Sequence, residues 1–159
     1  MKLLIPIKNY KCAHTQIAAA LPFVLMGVHE VILLRVIEPP VVDTPRYNYD
    51  ELVAEWQSAE RRSAERMIEE SAHMIKHRCP TATVRQIIVT GNPAQQILAT
   101  CEQNGIDLLV LCRGQRSVLS WLQGSLCDKV ARKARCRTIL VEDNRSANTY
   151  APTGSAAAF

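Results

Sequence analysis

Apolar residues in this chain fall into two alternating rhythms. Short, nearly unbroken runs occur at Lys2–Ile7 (KLLIPI), Glu30–Ile37 (EVILLRVI), Thr81–Thr90 (TATVRQIIVT), Ile106–Leu111 (IDLLVL) and Thr138–Val141 (TILV). Such runs suit strands covered on both faces. Between them, apolar residues recur every three or four positions, the helical period. Ile17, Leu21, Val24 and Leu25 mark a helix from His14 to a stop at Gly27, reached through a polar connection over Lys8–Ala13 and bent or redirected at Pro22. Leu52, Trp56, Ala59, Ala64, Met67, Ile68, Ala72 and Ile75 mark a long helix to Arg78, with Asp50 as its N-cap. Gly91-Asn92-Pro93 reads as a tight turn into a helix over Ala94–Asn104 that Gly105 ends, and a last helix begins near Gly124-Ser125. The alternation predicts an α/β fold: an open five-stranded, mostly parallel sheet with helices on both faces, Rossmann-like, joined by right-handed crossovers.

The residues after each strand locate the chemistry. In a βαβ unit the carboxyl end of the first strand meets the N-terminus of the next helix, where unpaired N–H groups and the helix dipole favour an anion. Between Leu111 and the last helix lie Gly114 and Gly124-Ser125: glycines that let backbone approach a ligand, and a hydroxyl that caps the helix or meets a phosphate. The loop from Pro39 to Tyr49 leaves the second strand on the same side; its tyrosines, Tyr47 and Tyr49, read as pins for the loop.

Length and composition narrow the classes. The 159 residues suit one domain, with 48% hydrophobic and 21% charged residues as in soluble globular proteins. The net charge of +4 favours small anions, but the bases are interspersed with acids and form no block, so no nucleic-acid partner is expected. The longest apolar run, Ile17–Val28, is interrupted by Pro22 and is too short to span a bilayer, and the N-terminus lacks the pattern of a secretory signal. A cytoplasmic protein with no membrane partner is expected. The six cysteines show no CxxC or CxxH spacing, and His73 and His77 lack an evident third ligand, so no metal site is expected. Asp143–Phe159 is small and polar; residues 144–159 are expected to form a disordered tail after a domain over 1–143.

Over residues 1–143 the sequence resembles the universal stress protein family. The resemblance is carried by LLIPIK, LLRVIEPP, GNPAQQIL, GIDLLVLCRG and above all GQRSVLSWLQGSLCDKVARKARCRTILVE. The last stretch is similar to the family's nucleotide loop, Gly-x2-Gly-x9-Gly-Ser/Thr, and Gly114 and Gly124-Ser125 satisfy its second and third parts. The resemblance implies the adenine nucleotide α-hydrolase-like fold and binding of ATP or AMP, with or without Mg²⁺. By residue-wise transfer Pro6, Ile7, Lys8 and Val36 would line the base, Leu111 would stand by the ribose, and Gly114, Gly124, Ser125 and Leu126 would face the phosphates. Leu111 stands where the family has its first motif glycine, and Lys8 where it has an aspartate. The added leucine carbons crowd the sugar, at a cost of roughly 1–3 kcal/mol, while Lys8 favours an anion.

Three functional readings result. The first is a universal stress protein that binds an adenine nucleotide weakly and acts in stress response through conformation or partners; it is not an enzyme, since no catalytic constellation can be assigned, although slow ATP hydrolysis stays open. The second is a dimeric interaction module of the same fold without nucleotide. Family members pair through the last strand, so the resemblance implies a homodimer edge at Thr138, Ile139, Leu140 and Val141, an apolar edge that needs cover. The third is redox sensing through Cys112 or Cys127, the latter in a helical first turn where thiol pKa values fall.

Overall fold

The computed structural model describes residues 1–41, 49–113 and 126–142. Five strands and four helices alternate: β1 (Lys2–Pro6), α1 (Tyr10–Leu25), β2 (Glu30–Ile37), α2 (Tyr49–Arg78), β3 (Thr83–Thr90), α3 (Pro93–Asn104), β4 (Leu108–Arg113), α4 (Leu126–Lys133) and β5 (Arg137–Glu142). Every strand pair is parallel, in the order β3-β2-β1-β4-β5. The expected open, doubly wound sheet is therefore present, and the chain reverses its direction of winding between β1 and β4.

Alternation along the central strands divides the core in two. Leu3, Ile5, Val31, Leu33, Leu108 and Val110 pack with α1 and α2. Leu4, Ile32, Leu34, Leu109 and Leu111 face Ile97, Cys101, Cys127 and Val130 of α3 and α4. Because side chains two apart share a face, a continuous apolar run in β1, β2 and β4 feeds both layers at once.

Several boundaries differ from the expectation. Helix α1 starts at Tyr10 rather than His14, because the Asn9 side chain caps it by accepting from Cys12 N at 2.8 Å; Tyr10 and Lys11 are polar as an exposed first turn. It runs through Pro22 and ends at Leu25, two residues before positive-φ Gly27. Asn92 caps α3 in the same way, accepting from Gln95 N at 3.1 Å, with Pro93 at the first helical position. Strand β4 begins at Leu108, not Ile106. Ile106 N instead donates to Cys101 O at 3.0 Å, closing α3 behind the left-handed Gly105.

Helix α2 includes Tyr49, and Asp50, expected as its N-cap, lies within its first turn. Its apolar stripe is buried only from Ala64 onward: Leu52 is 62% exposed, Ala59 is exposed and Trp56 is half-buried. Length accounts for this. At 30 residues the helix is roughly 45 Å long, against roughly 26 Å for an 8-residue strand such as β2. Its first turns therefore stand beyond the carboxyl ends of the strands. Gly114, Gly124, Ser125, Tyr47 and the tail 144–159 lie outside the described residues.

Candidate functional site

Strands β1 and β4 pair only at Leu3↔Leu108 and Leu4↔Leu109, whereas β1 and β2 pair from Lys2↔Glu30 to Pro6↔Leu34. Beyond Leu109 the two central strands part, and Pro6 brings no N–H to rejoin them. The carbonyls of Pro6 and Val110 are left without ladder partners across the gap. Gln16, on the second turn of α1, supplies both: its Nε2 donates to Pro6 O and to Val110 O, each at 2.8 Å. The side chain is 1% exposed, and its Oε1 has no hydrogen-bond partner among the described residues.

A second side chain fixes the rim. Arg35, the charged residue within the apolar run of β2, reaches across the end of β1 and donates from one terminal nitrogen to Ile7 O at 3.3 Å and Lys8 O at 2.7 Å. A guanidinium bound to carbonyls holds the β1–α1 turn through charge-assisted bonds worth about 1.5–3 kcal/mol. On the opposite side Arg113, at the end of β4, pairs with Asp128 in the first turn of α4 and reaches Glu142 of β5 at 4.0 Å. Asp128, the acid nearest the glycine loop in sequence, is thus engaged by an arginine. The Nε atoms of Arg35 and Arg113 are buried without partners among the described residues.

Between these groups lies a crevice of about 70 Å³. Pro6, Ile7, Lys8, Val36, Leu111 and Leu126, drawn from four elements and the turn after β1, all line it. The transferred site residues that are described thus meet in one place. Lys8 is exposed at the mouth, and its charge reaches as far as the Cys127 thiol. Leu111 is 3% exposed and belongs to the α3/α4 core, so it forms both the wall of the crevice and part of the packing behind it. Sequence reasoning passed over Gln16, Arg35, Cys12, Glu38 and Ile97, which also line the crevice. A glutamine on the apolar stripe of a helix and an arginine inside an apolar strand were the available signals.

The cysteine expectation changes. Burial pushes the Cys127 thiol above its ordinary pKa; Arg113 opposes this, Asp128 and Cys12 reinforce it, and Lys8 opposes it. Cys127 donates through Sγ to Cys112 O at 3.1 Å. Desolvation outweighs the helix terminus and the neighbouring cations, so a lowered thiol pKa does not occur here.

An open parallel sheet whose crevice lies at the carboxyl ends of its diverging central strands defines the class: a doubly wound α/β protein built around its topological switch point. The sequence profile of the universal stress protein family matches residues 1–142, and the chain belongs to that family. Solved structures agree on the fold. Universal stress protein UspA from Lactobacillus plantarum is 20% identical, covering 89% of this chain and 97% of its own with a TM-score of 0.74. A universal stress protein from Archaeoglobus fulgidus in complex with dAMP is 15% identical, with 89% and 97% covered and a TM-score of 0.59. A family protein from Arabidopsis thaliana with AMP bound is 14% identical, with 89% and 91% covered and a TM-score of 0.58. Among curated protein sequences none matches significantly. No helix among the described residues is long and apolar enough to cross a membrane.

Proposed function

We propose that this universal stress protein binds an adenine nucleotide, AMP or ATP, at the crevice between β1 and β4, and acts in stress response through conformation or partner binding. The observation that carries the reading is the convergence of Pro6, Ile7, Lys8, Val36, Leu111 and Leu126 on one crevice. The nucleotides bound by the Archaeoglobus and Arabidopsis relatives support it. The chemistry of the walls suits the ligand: Ile7 and Val36 offer apolar surface to a base, Leu111 stands by the ribose, and Lys8 at the mouth offers a cation to a phosphate. At about 70 Å³ the crevice is small against the roughly 300–1,000 Å³ of pockets that enclose whole ligands. It takes one end of the nucleotide, the remainder lies over the rim, and affinity is modest. Mg²⁺ enters only with ATP, as a counterion to its phosphates. The reading assigns no catalytic step to any residue and places the protein in the cytoplasm.

Calorimetric titration with AMP and with ATP, each with and without Mg²⁺, tests this. Micromolar, saturable binding is expected, weakened roughly fivefold in Lys8→Asp, since reversing an exposed charge contact is worth about 1 kcal/mol. Absence of binding at millimolar nucleotide would overturn the reading.

A second reading rests on β5. This strand is an edge of the sheet, and Leu140 is 41% exposed on it, while Thr138, Ile139 and Val141 are half-buried. An unpaired apolar edge is stabilised by a second copy across a two-fold axis. Under this reading the protein is a homodimer through Thr138–Val141. Sedimentation analysis of the native chain and Leu140→Lys tests it: a dimer converted to monomer is expected, and an unmodified chain that is monomeric at high concentration would sink it.

A further inference from the structure

Far from the crevice, at the amino end of the sheet, a second cavity of about 380 Å³ opens between the last turn of α3 and the chain entering β5. Leu98, Cys101 and Ile106 form one side, Lys133, Arg135 and Cys136 the other. Cys101 is buried in the α3/α4 core and Cys136, half-buried, packs against the same cluster. Both line this one cavity, and the charge of Cys136 is felt at the Cys101 thiol, although they are 35 positions apart in the chain. They therefore lie as neighbouring sulfurs in a cavity that a small solute can enter.

We infer that Cys101 and Cys136 are a dithiol that a hydroperoxide oxidises to a disulfide, tying the end of α3 to the start of β5. The order of events follows from their surroundings. Burial, reinforced by the charge of Cys136, pushes the Cys101 thiol up to about 12, so Cys101 keeps its proton. Cys136, the more accessible sulfur, is the attacking group. Its thiolate takes one oxygen from hydrogen peroxide, breaking the O–O bond and releasing hydroxide; the sulfur becomes a sulfenic acid. The Cys101 sulfur then attacks that sulfur, the S–O bond breaks, and the oxygen leaves as water with the Cys101 proton. In sum two thiols and one hydrogen peroxide give one disulfide and two waters.

The bond would restrain the residue immediately before the edge strand, making the entry to β5 stiffer in oxidised than in reduced protein. The inference stands whether or not a nucleotide binds at the opposite end.

The full chain is treated with hydrogen peroxide, the remaining thiols are alkylated, and the digest is mapped by mass spectrometry without reduction. A Cys101–Cys136 cross-linked peptide that disappears with dithiothreitol is expected. Cys12, Cys79, Cys112 and Cys127 should stay alkylated. Closing a loop of this length should raise the Tm of the oxidised chain by on the order of 5–10 °C, and Cys136→Ser, at the less buried position, should remove that rise and leave Cys101 fully alkylatable. The inference is overturned if Cys136 ends as a sulfinic acid while Cys101 remains alkylatable, or if Cys101 pairs with a different cysteine.

Discussion

The two ends of the sheet handle polar groups differently. At the amino end the charges around β1, β2, β3 and β4 are matched within the chain. Asp107 accepts from Lys2 N at 2.7 Å, and Glu30 lies between Lys2 at 3.7 Å and Arg85 at 3.2 Å. At the carboxyl end the matching is incomplete: Gln16 Oε1, Arg35 Nε and Arg113 Nε are the buried side-chain polar atoms without a partner among the described residues. Buried polar groups are ordinarily satisfied, and a cluster of exceptions marks where a fold gives up stability for another purpose. The strand geometry explains the location, since the divergence of β1 from β4 exposes carbonyls that only side chains can reach. At one end neighbouring charges pair with each other, and at the other side chains span the gap between two strands.

The largest effect expected is at Leu111. Leu111→Ala removes a buried side chain from the α3/α4 core and should cost roughly 2–5 kcal/mol, read as a fall in Tm or in the denaturant midpoint. The same change widens the crevice. Relief of overfilling should tighten AMP binding by about tenfold even as the protein weakens. Loss of stability with no change in affinity would show that Leu111 only packs.

Gln16→Leu comes next. It conserves approximate volume but strips the Pro6 and Val110 carbonyls of their donor inside the protein. Leaving two buried acceptors unsatisfied should cost roughly 2–4 kcal/mol in chemical denaturation. An unchanged midpoint would mean that water enters the gap, and the carboxyl end would then be wetter than its packing implies.

These residues also show what the sequence could disclose. Apolar runs identify a strand whenever both faces are covered, so all five strands were legible from their rhythm, and the residues transferred from the family resemblance, Pro6, Ile7, Lys8, Val36, Leu111 and Leu126, line one crevice. The start of α1 was missed because a polar first turn, Tyr10-Lys11, is indistinguishable from a loop until its Asn9 cap is paired. Gln16 and Arg35 were missed for a longer-range reason. Each acts on backbone carbonyls of a different element, and no local pattern records where two strands part company. The overreach of α2 beyond the sheet was hidden similarly, because an apolar stripe states which face is apolar and not how far its partner extends.

Arg35→Met should have a smaller consequence. It removes the bonds to Ile7 O and Lys8 O at a partly exposed rim where water can replace them, so a loss of about 1–2 kcal/mol is expected. The β1–α1 turn carries Lys8, and loosening it should weaken AMP binding about as much as Lys8→Asp does. Titration of both variants checks this, and full affinity in Arg35→Met would separate the turn from the ligand.

The smallest effect belongs to the amino end. Glu30→Gln abolishes both ion pairs to Lys2 and Arg85, whose side chains are 46% and 45% exposed. Ion pairs at such exposure contribute about 0–1 kcal/mol and are screened within a Debye length of roughly 10 Å at 0.1 M salt. The substitution should therefore lower stability by less than about 1 kcal/mol in dilute buffer, the difference should vanish in 1 M sodium chloride, and AMP affinity should not change. A cost approaching that of Gln16→Leu, persisting in high salt, would instead place essential buried electrostatics at the amino end and abolish the contrast. The outcome expected is that polar pairing at the amino end neutralises exposed charge, while the bonds at the carboxyl end hold the sheet's central gap in shape.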